Sequence, residues 1–289
     1  MITQKPRKPV LVCAVVAAIA GIFAVVRAED KKVIPDHTSF TSCQACHAEK
    51  QSMWEASGHS KAIGRVKDSK IASADCYACH SAEGFAAKLQ GNKVDAAQKE
   101  TFHTVSCLAC HSPQSTAHPR RLVLDPEQIC AACHTQQNFL KGTGARGIEE
   151  VRNVHSAVPC VSCHMTGGNH RMKVIRPDDP GLTEKDVDTC TACHKDNTRK
   201  TRAKQLQEWQ SEFKEKMDVL QADLNSISAV VKEKPDLLNA DLKKKLGDVR
   251  FNLSLLTRDG SQSAHNFDFS LEIMALASND IKELKAAMK

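Results

Sequence analysis

Cys160-Val161-Ser162-Cys163-His164, reached through Val154-His155-Ser156-Ala157-Val158-Pro159, decides how this 289-residue chain is read, because its Cys-x-x-Cys-His pattern recurs five more times. The other copies are Cys43-Cys46-His47, Cys76-Cys79-His80, Cys107-Cys110-His111, Cys130-Cys133-His134 and Cys190-Cys193-His194, starting 33, 31, 23, 30 and 30 residues apart along the chain. Of 13 cysteines only Cys13 stands outside the pattern. Positions i, i+3 and i+4 share one face of a helical turn, so two thiols and an imidazole converge on one point. Cys-x-x-Cys pairs also build zinc ribbons and redox-active disulfides, but neither needs the histidine. Two thioether bonds to the vinyl groups and a proximal imidazole on the iron need all three residues, which is the attachment signature of c-type haem. Six copies with none left over imply six covalent haems c, with His47, His80, His111, His134, His164 and His194 as proximal ligands.

The rest of the composition follows from that cofactor. Only 12 residues are aromatic, and residues 29 to 194 leave about 28 residues for each haem, too few for separate apolar cores. Six flat porphyrins are expected to fill the interior that Phe, Tyr and Trp usually fill.

Residues 1–28 have a basic start (Lys5, Arg7, Lys8), an apolar run from Val10 to Val26, and small-residue spacing that ends at Ala28. This is the pattern of a cleaved secretory signal, which places the chain outside the cytoplasm where haem c is attached, periplasmic or on the outer surface. An uncleaved anchor is the alternative, since 17 apolar residues lie at the lower limit for a membrane span. Removing the four leader cations lowers the formal charge from +6 to +2. No basic run interleaved with aromatics remains to bind nucleic acid.

Seven further histidines are available for the opposite faces of the irons: His59, His103, His118, His155, His170 and His265 as candidate distal ligands, and His37 as the weakest, near the mature N-terminus. Methionine is the competing ligand, at Met53, Met165, Met172, Met217 and Met274, but the histidines suffice without it. Imidazole on both faces gives lower potentials than Met/His ligation.

After Thr198 the cysteines stop. Leu206, Trp209, Phe213, Met217, Leu220, Leu224, Ile227 and Val231 recur at helical spacing, predicting a helix to about Lys232. Pro235 ends it. Asp236 is the expected cap of a second helix bearing Leu238, Leu242, Leu246 and Val249, and a third is expected over Phe267–Met288 after a turn at Asp259-Gly260. The fold class is mainly α with much irregular loop: a signal over 1–28, a hexahaem domain over 29–197 and a helical domain over 198–289.

The last five motifs, the segment 154–165, the following His170, and long helices bearing His265-Asn266 resemble the pentahaem cytochrome c nitrite reductase family over residues 70 to 289. The Cys43 motif is then an added N-terminal haem. The resemblance implies a mostly helical fold, a packed haem chain and dimerisation through the C-terminal helices. It also implies that the Cys76–Cys79 haem takes the catalytic place, with His80 where the family usually has lysine. The family's tyrosine position is Gln137 here, and the 20 residues between His134 and His155 contain no histidine to serve as its catalytic one. Proton delivery to a bound oxyanion needs such groups. The expected function is therefore electron relay between redox partner proteins, such as a quinol dehydrogenase or other cytochromes, with no catalytic residue. Reduction of nitrite, hydroxylamine or a sulfur oxyanion at the Cys76/Cys79 haem is the alternative, and a filament bridged by His37 is a third possibility.

Overall fold

The structure, a computed structural model, describes residues 41–288 apart from 114, 115, 184 and 197. The leader, Cys13 and His37 lie outside the described residues. Through the motif-bearing part, short helices alternate with loops and 3-10 turns: α1 (Thr41–Glu55), α2 (Ala74–His80), α3 (Ala82–Leu89), α4 (Cys107–Cys110), α5 (Gln136–Leu140), α6 (Cys160–His164) and α7 (Thr189–Cys193). No strand occurs among the described residues, where only an isolated bridge joins His111 to Leu122.

Each motif is about one helical turn because that is all the attachment geometry requires. His111, His134 and His194 each donate their backbone N–H to the carbonyl of the first cysteine of their own motif, at 2.9 Å. The turn then breaks, as at His47 inside α1, where φ −123° and ψ 39° leave the helical region. Asp188 starts α7 by accepting from the backbone N–H of Cys190 and Thr191, so a buried carboxylate caps the sixth motif.

Three long helices follow: α8 (Arg199–Glu233), α9 (Ala240–Asp259) and α10 (Phe267–Ala287). The predicted stripe is buried at Phe213, Leu220, Leu224 and Ile227. It packs with Leu246, Val249, Leu253 and Leu256 of α9, and with Phe269, Ile273, Ala277, Ile281 and Leu284 of α10. Met217 and Met274 belong to this core, which explains both as packing residues. One cap differs from expectation. Pro235–Leu237 forms a 3-10 turn and Leu238 is buried, so α9 begins later and Asn239, not Asp236, accepts the Leu242 N–H. Gly260 then takes φ +73°, which lets the chain leave the C-terminus of α9 at the expected turn.

The motif-bearing part has far less side-chain core. Its buried apolar cluster is Ala82, Phe85, Ala109 and Ile129, with Cys110, Cys130 and Cys133 packed against it. The two parts interlock through Gln136, which donates to the Arg258 carbonyl, and Arg176, which donates to Gln210. Among the described residues no helix is long and apolar enough to cross a membrane.

Candidate functional site

The twelve described cysteines form no disulfide with one another, leaving every thiol of the six motifs available. Around them, histidines remote in sequence come together in pairs. His59 faces His134 with ring centroids 5.9 Å apart, His111 faces His170 at 6.4 Å, His155 faces His194 at 6.1 Å, and His164 faces His265 at 6.1 Å. Every pair joins one motif histidine to one non-motif histidine. Metal–imidazole bonds of about 2 Å, with about 1 Å from each nitrogen to its ring centre, put trans imidazoles roughly 6 Å apart. The four separations fit an iron between the rings.

The scaffold fixes which nitrogen points inward. His111 Nδ1–H donates to the Arg120 carbonyl at 3.0 Å, His164 Nδ1–H to Met172 at 3.2 Å, His170 Nδ1–H to Gly168 at 2.8 Å, and His80 Nδ1–H to Ala62 at 3.0 Å. With Nδ1 tied back, Nε2 is left for a metal. Burial holds His59, His111, His134, His155 and His164 below the ordinary imidazole value, and a neighbouring histidine adds to the shift in each. All five are thus kept neutral, the form that ligates.

His265 reaches its partner through tertiary structure. Asn266 caps α10 through the Phe269 N–H, and its amide donates to the Val151 carbonyl at 2.8 Å and the Leu140 carbonyl at 3.4 Å. Asn153 in turn donates to the His265 carbonyl. The same turn therefore anchors the segment that carries His155 and leads into the fifth motif. Asn252 of α9 clamps that segment from the other side, accepting from Arg146 N–H at 2.8 Å and donating to the Arg146 carbonyl at 2.9 Å.

His103 and His118 make no such ring pair among the described residues. His103 Nδ1 instead meets Glu83 at 2.5 Å, and His118 precedes the turn Pro119–Arg121. His47 and His80 likewise face no second imidazole among the described residues. Gln137 donates to the Glu127 carbonyl.

Motifs are also neighbours of one another. Cys130 hydrogen-bonds with Cys160 and Cys133 with Cys79, while Cys43 and Cys107, Cys110 and both Cys130 and Cys133, and Cys163 and Cys193 are close enough to interact electrostatically. Burial pushes the Cys110 and Cys190 thiols up to about 11.

Beside the His155–His194 pair lies a cavity of about 590 Å³, lined by Arg152, Arg202, Trp209, Phe267 and Asp268 among others. Arg202 Nε is buried there without an acceptor. A buried, unsatisfied guanidinium donor suits an anionic group such as a porphyrin propionate. Sequence reasoning missed Arg202, Glu83 and Asp259, which binds His265, because nothing in the linear order marks a carboxylate that binds a histidine's Nδ1 or a cation that lines a cavity beside a histidine pair.

Comparisons with known proteins place these features in context. Residues 42–112, spanning the first three motifs, match the family model described as cytochrome c554 and c-prime, and residues 100–139 match a doubled CXXCH motif. No curated protein matches the chain. Its fold is similar to the crystal structure of the outer cell wall cytochrome OcwA, with a TM-score of 0.69 and 24% identity over 80% of this chain. It is also similar to an undecahaem cytochrome from the S-layer of Carboxydothermus ferrireducens, with a TM-score of 0.58 and 21% identity over 78% of this chain. The chain spans 50% of the length of the first and 40% of the second.

Proposed function

We propose that this multihaem c-type cytochrome relays electrons through six covalent haems, four of them closed on both faces by His59/His134, His111/His170, His155/His194 and His164/His265. The observation that carries this is the four cross-motif imidazole pairs at 5.9–6.4 Å. Bound haem supplies a one-electron iron couple at each motif, while the protein fixes spacing and potential. The proximity of the cysteines supports a path from first motif to third, third to fourth, fourth to fifth and fifth to sixth, with the second joined to the fourth. The Cys130–Cys133 motif is thus a junction, and the first, second and sixth motifs are ends at which partner proteins exchange electrons. His103, whose Nδ1 is held by Glu83, and His118 and His37 are the ligands left for the irons of His47 and His80.

At the four paired motifs imidazole on both faces leaves no coordination position for a substrate, and for the Cys76–Cys79 motif, outside those four, Gln137 is engaged with a backbone carbonyl and supplies no acid for oxyanion chemistry. The fold shared with cell-wall and S-layer cytochromes supports export, with redox proteins of the cell envelope, such as a quinol dehydrogenase or another cytochrome, as partners. Exposed Val219 and Val230, three turns apart on one face of α8, support self-association through that helix. The test is a haem-to-protein ratio with an EPR spectrum of the oxidised protein. Six haems per chain with low-spin signals dominant is the expected result. A ratio below five, or a large high-spin signal that changes on adding nitrite, would overturn the relay.

A further inference from the structure

Asp259 is the last residue of α9, and its side chain is 1% exposed. Its Oδ1 accepts from His265 Nδ1 at 2.6 Å, while Oδ2 accepts from the Ser261 backbone N–H at 3.2 Å and from the Ser261 hydroxyl. No lysine or arginine pairs with it among the described residues. The other paired histidines whose Nδ1 contacts the structure gives, His111, His164 and His170, donate to neutral backbone carbonyls. A carboxylate sealed from water and held against one ligand histidine is a different device. Its negative charge is unscreened, and it draws the Nδ1 proton toward itself, making Nε2 a stronger electron donor to whatever Nε2 binds.

We propose that Asp259 is a positioning residue that lowers the potential of the haem at the fifth motif, Cys160–Cys163–His164, below those of the other three paired sites. The proposal rests on His265 being the second ligand there, as argued above. A stronger donor and a buried negative charge both favour ferric iron over ferrous. The fifth motif neighbours the fourth through the Cys130–Cys160 hydrogen bond and the sixth through the electrostatic proximity of Cys163 and Cys193. Electrons entering the chain therefore settle on either side of it, and it is the last of the four paired sites to be reduced.

The test is a spectroelectrochemical titration of the fully loaded protein, with EPR, for wild type, Asp259→Asn, Asp259→Glu and His265→Met. Asparagine keeps an oxygen to accept from His265 and removes the charge. One component should move to higher potential, the others should stay, and the low-spin spectrum should persist. Glutamate restores the charge and should move that component back toward its wild-type position. If Asp259→Asn titrates as wild type while His265→Met raises one component, Asp259 has no such role. If His265→Met also changes nothing, the ligand assignment fails first and the proposal with it. Should Asp259→Asn not assemble, Ser261→Ala removes a competing donor from the same carboxylate. It should then lower the same component further, and an unchanged titration would refute the proposal.

Discussion

Replacing Asn266 with alanine removes three hydrogen bonds that together hold the start of α10, and with it His265, against the 140–153 segment. The first is the helix cap, Asn266 Oδ1 to the Phe269 N–H at 3.0 Å, which contributes about 1 kcal/mol. The second is the amide donated to the Val151 carbonyl at 2.8 Å, and leaving that carbonyl without its donor costs about 1–3 kcal/mol. The third, to Leu140 at 3.4 Å, adds little because the Ser156 hydroxyl already donates to that carbonyl at 3.0 Å. Asn266 is 0% exposed, so water cannot replace what is lost. The total is about 2–4 kcal/mol. Urea unfolding of the loaded protein, followed by circular dichroism, should show a lower midpoint with an unchanged slope. Asn266→Ser keeps an oxygen at the cap and should recover about 1 kcal/mol of the loss. Because His265 is the neighbouring residue, Asn266→Ala should also broaden the low-spin EPR signal of one haem. A midpoint equivalent to within 0.5 kcal/mol of wild type, about the size of a neutral surface substitution, would refute this account of how the turn is held.

Gly142 takes φ +74°, and a Cβ there would lie 1.9 Å from the Val151 carbonyl oxygen, so Gly142→Ala should cost more than the ~1–2 kcal/mol of the left-handed conformation alone. An unchanged urea midpoint would rule that out. The Asp188 carboxyl, which burial alone would raise, is held below the ordinary carboxylate value by its bonds to Thr191, Arg199 and Cys190. A carboxylate depressed in the folded state contributes stability above its unfolded pKa of about 3.9 and loses it as the pH falls through the lower folded value. Stability should therefore decline below about pH 4, and Asp188→Asn should flatten that part of the pH profile. Parallel acid profiles for the two proteins would assign the decline to other groups.

Most of the helical architecture is legible in the linear pattern, since apolar spacing from Leu206 to Val231, Pro235 and the Asp259-Gly260 turn each act on their own neighbours. The cap of α9 was not, because burial of Leu238 in a core shared by three helices decides where that helix can begin. Among the second-face histidines, spacing offers six nearly equivalent candidates, and the structure brings four of them opposite motif imidazoles.

The sequence by itself determines the covalent chemistry: two thiols and an imidazole within five residues are a local constellation, complete on one helical turn whatever surrounds it. Tertiary structure alone decides which second histidine meets which motif, for His59 and His134 are 75 residues apart in the chain and 5.9 Å apart in space. The same holds for Asp259. Six residues before His265 it reads as the end of a helix, and only the fold buries it, leaves it without a lysine or arginine partner among the described residues and turns its oxygen toward the imidazole. Local chemistry is written in short spacings, whereas charge, burial and partnership depend on where distant segments pack.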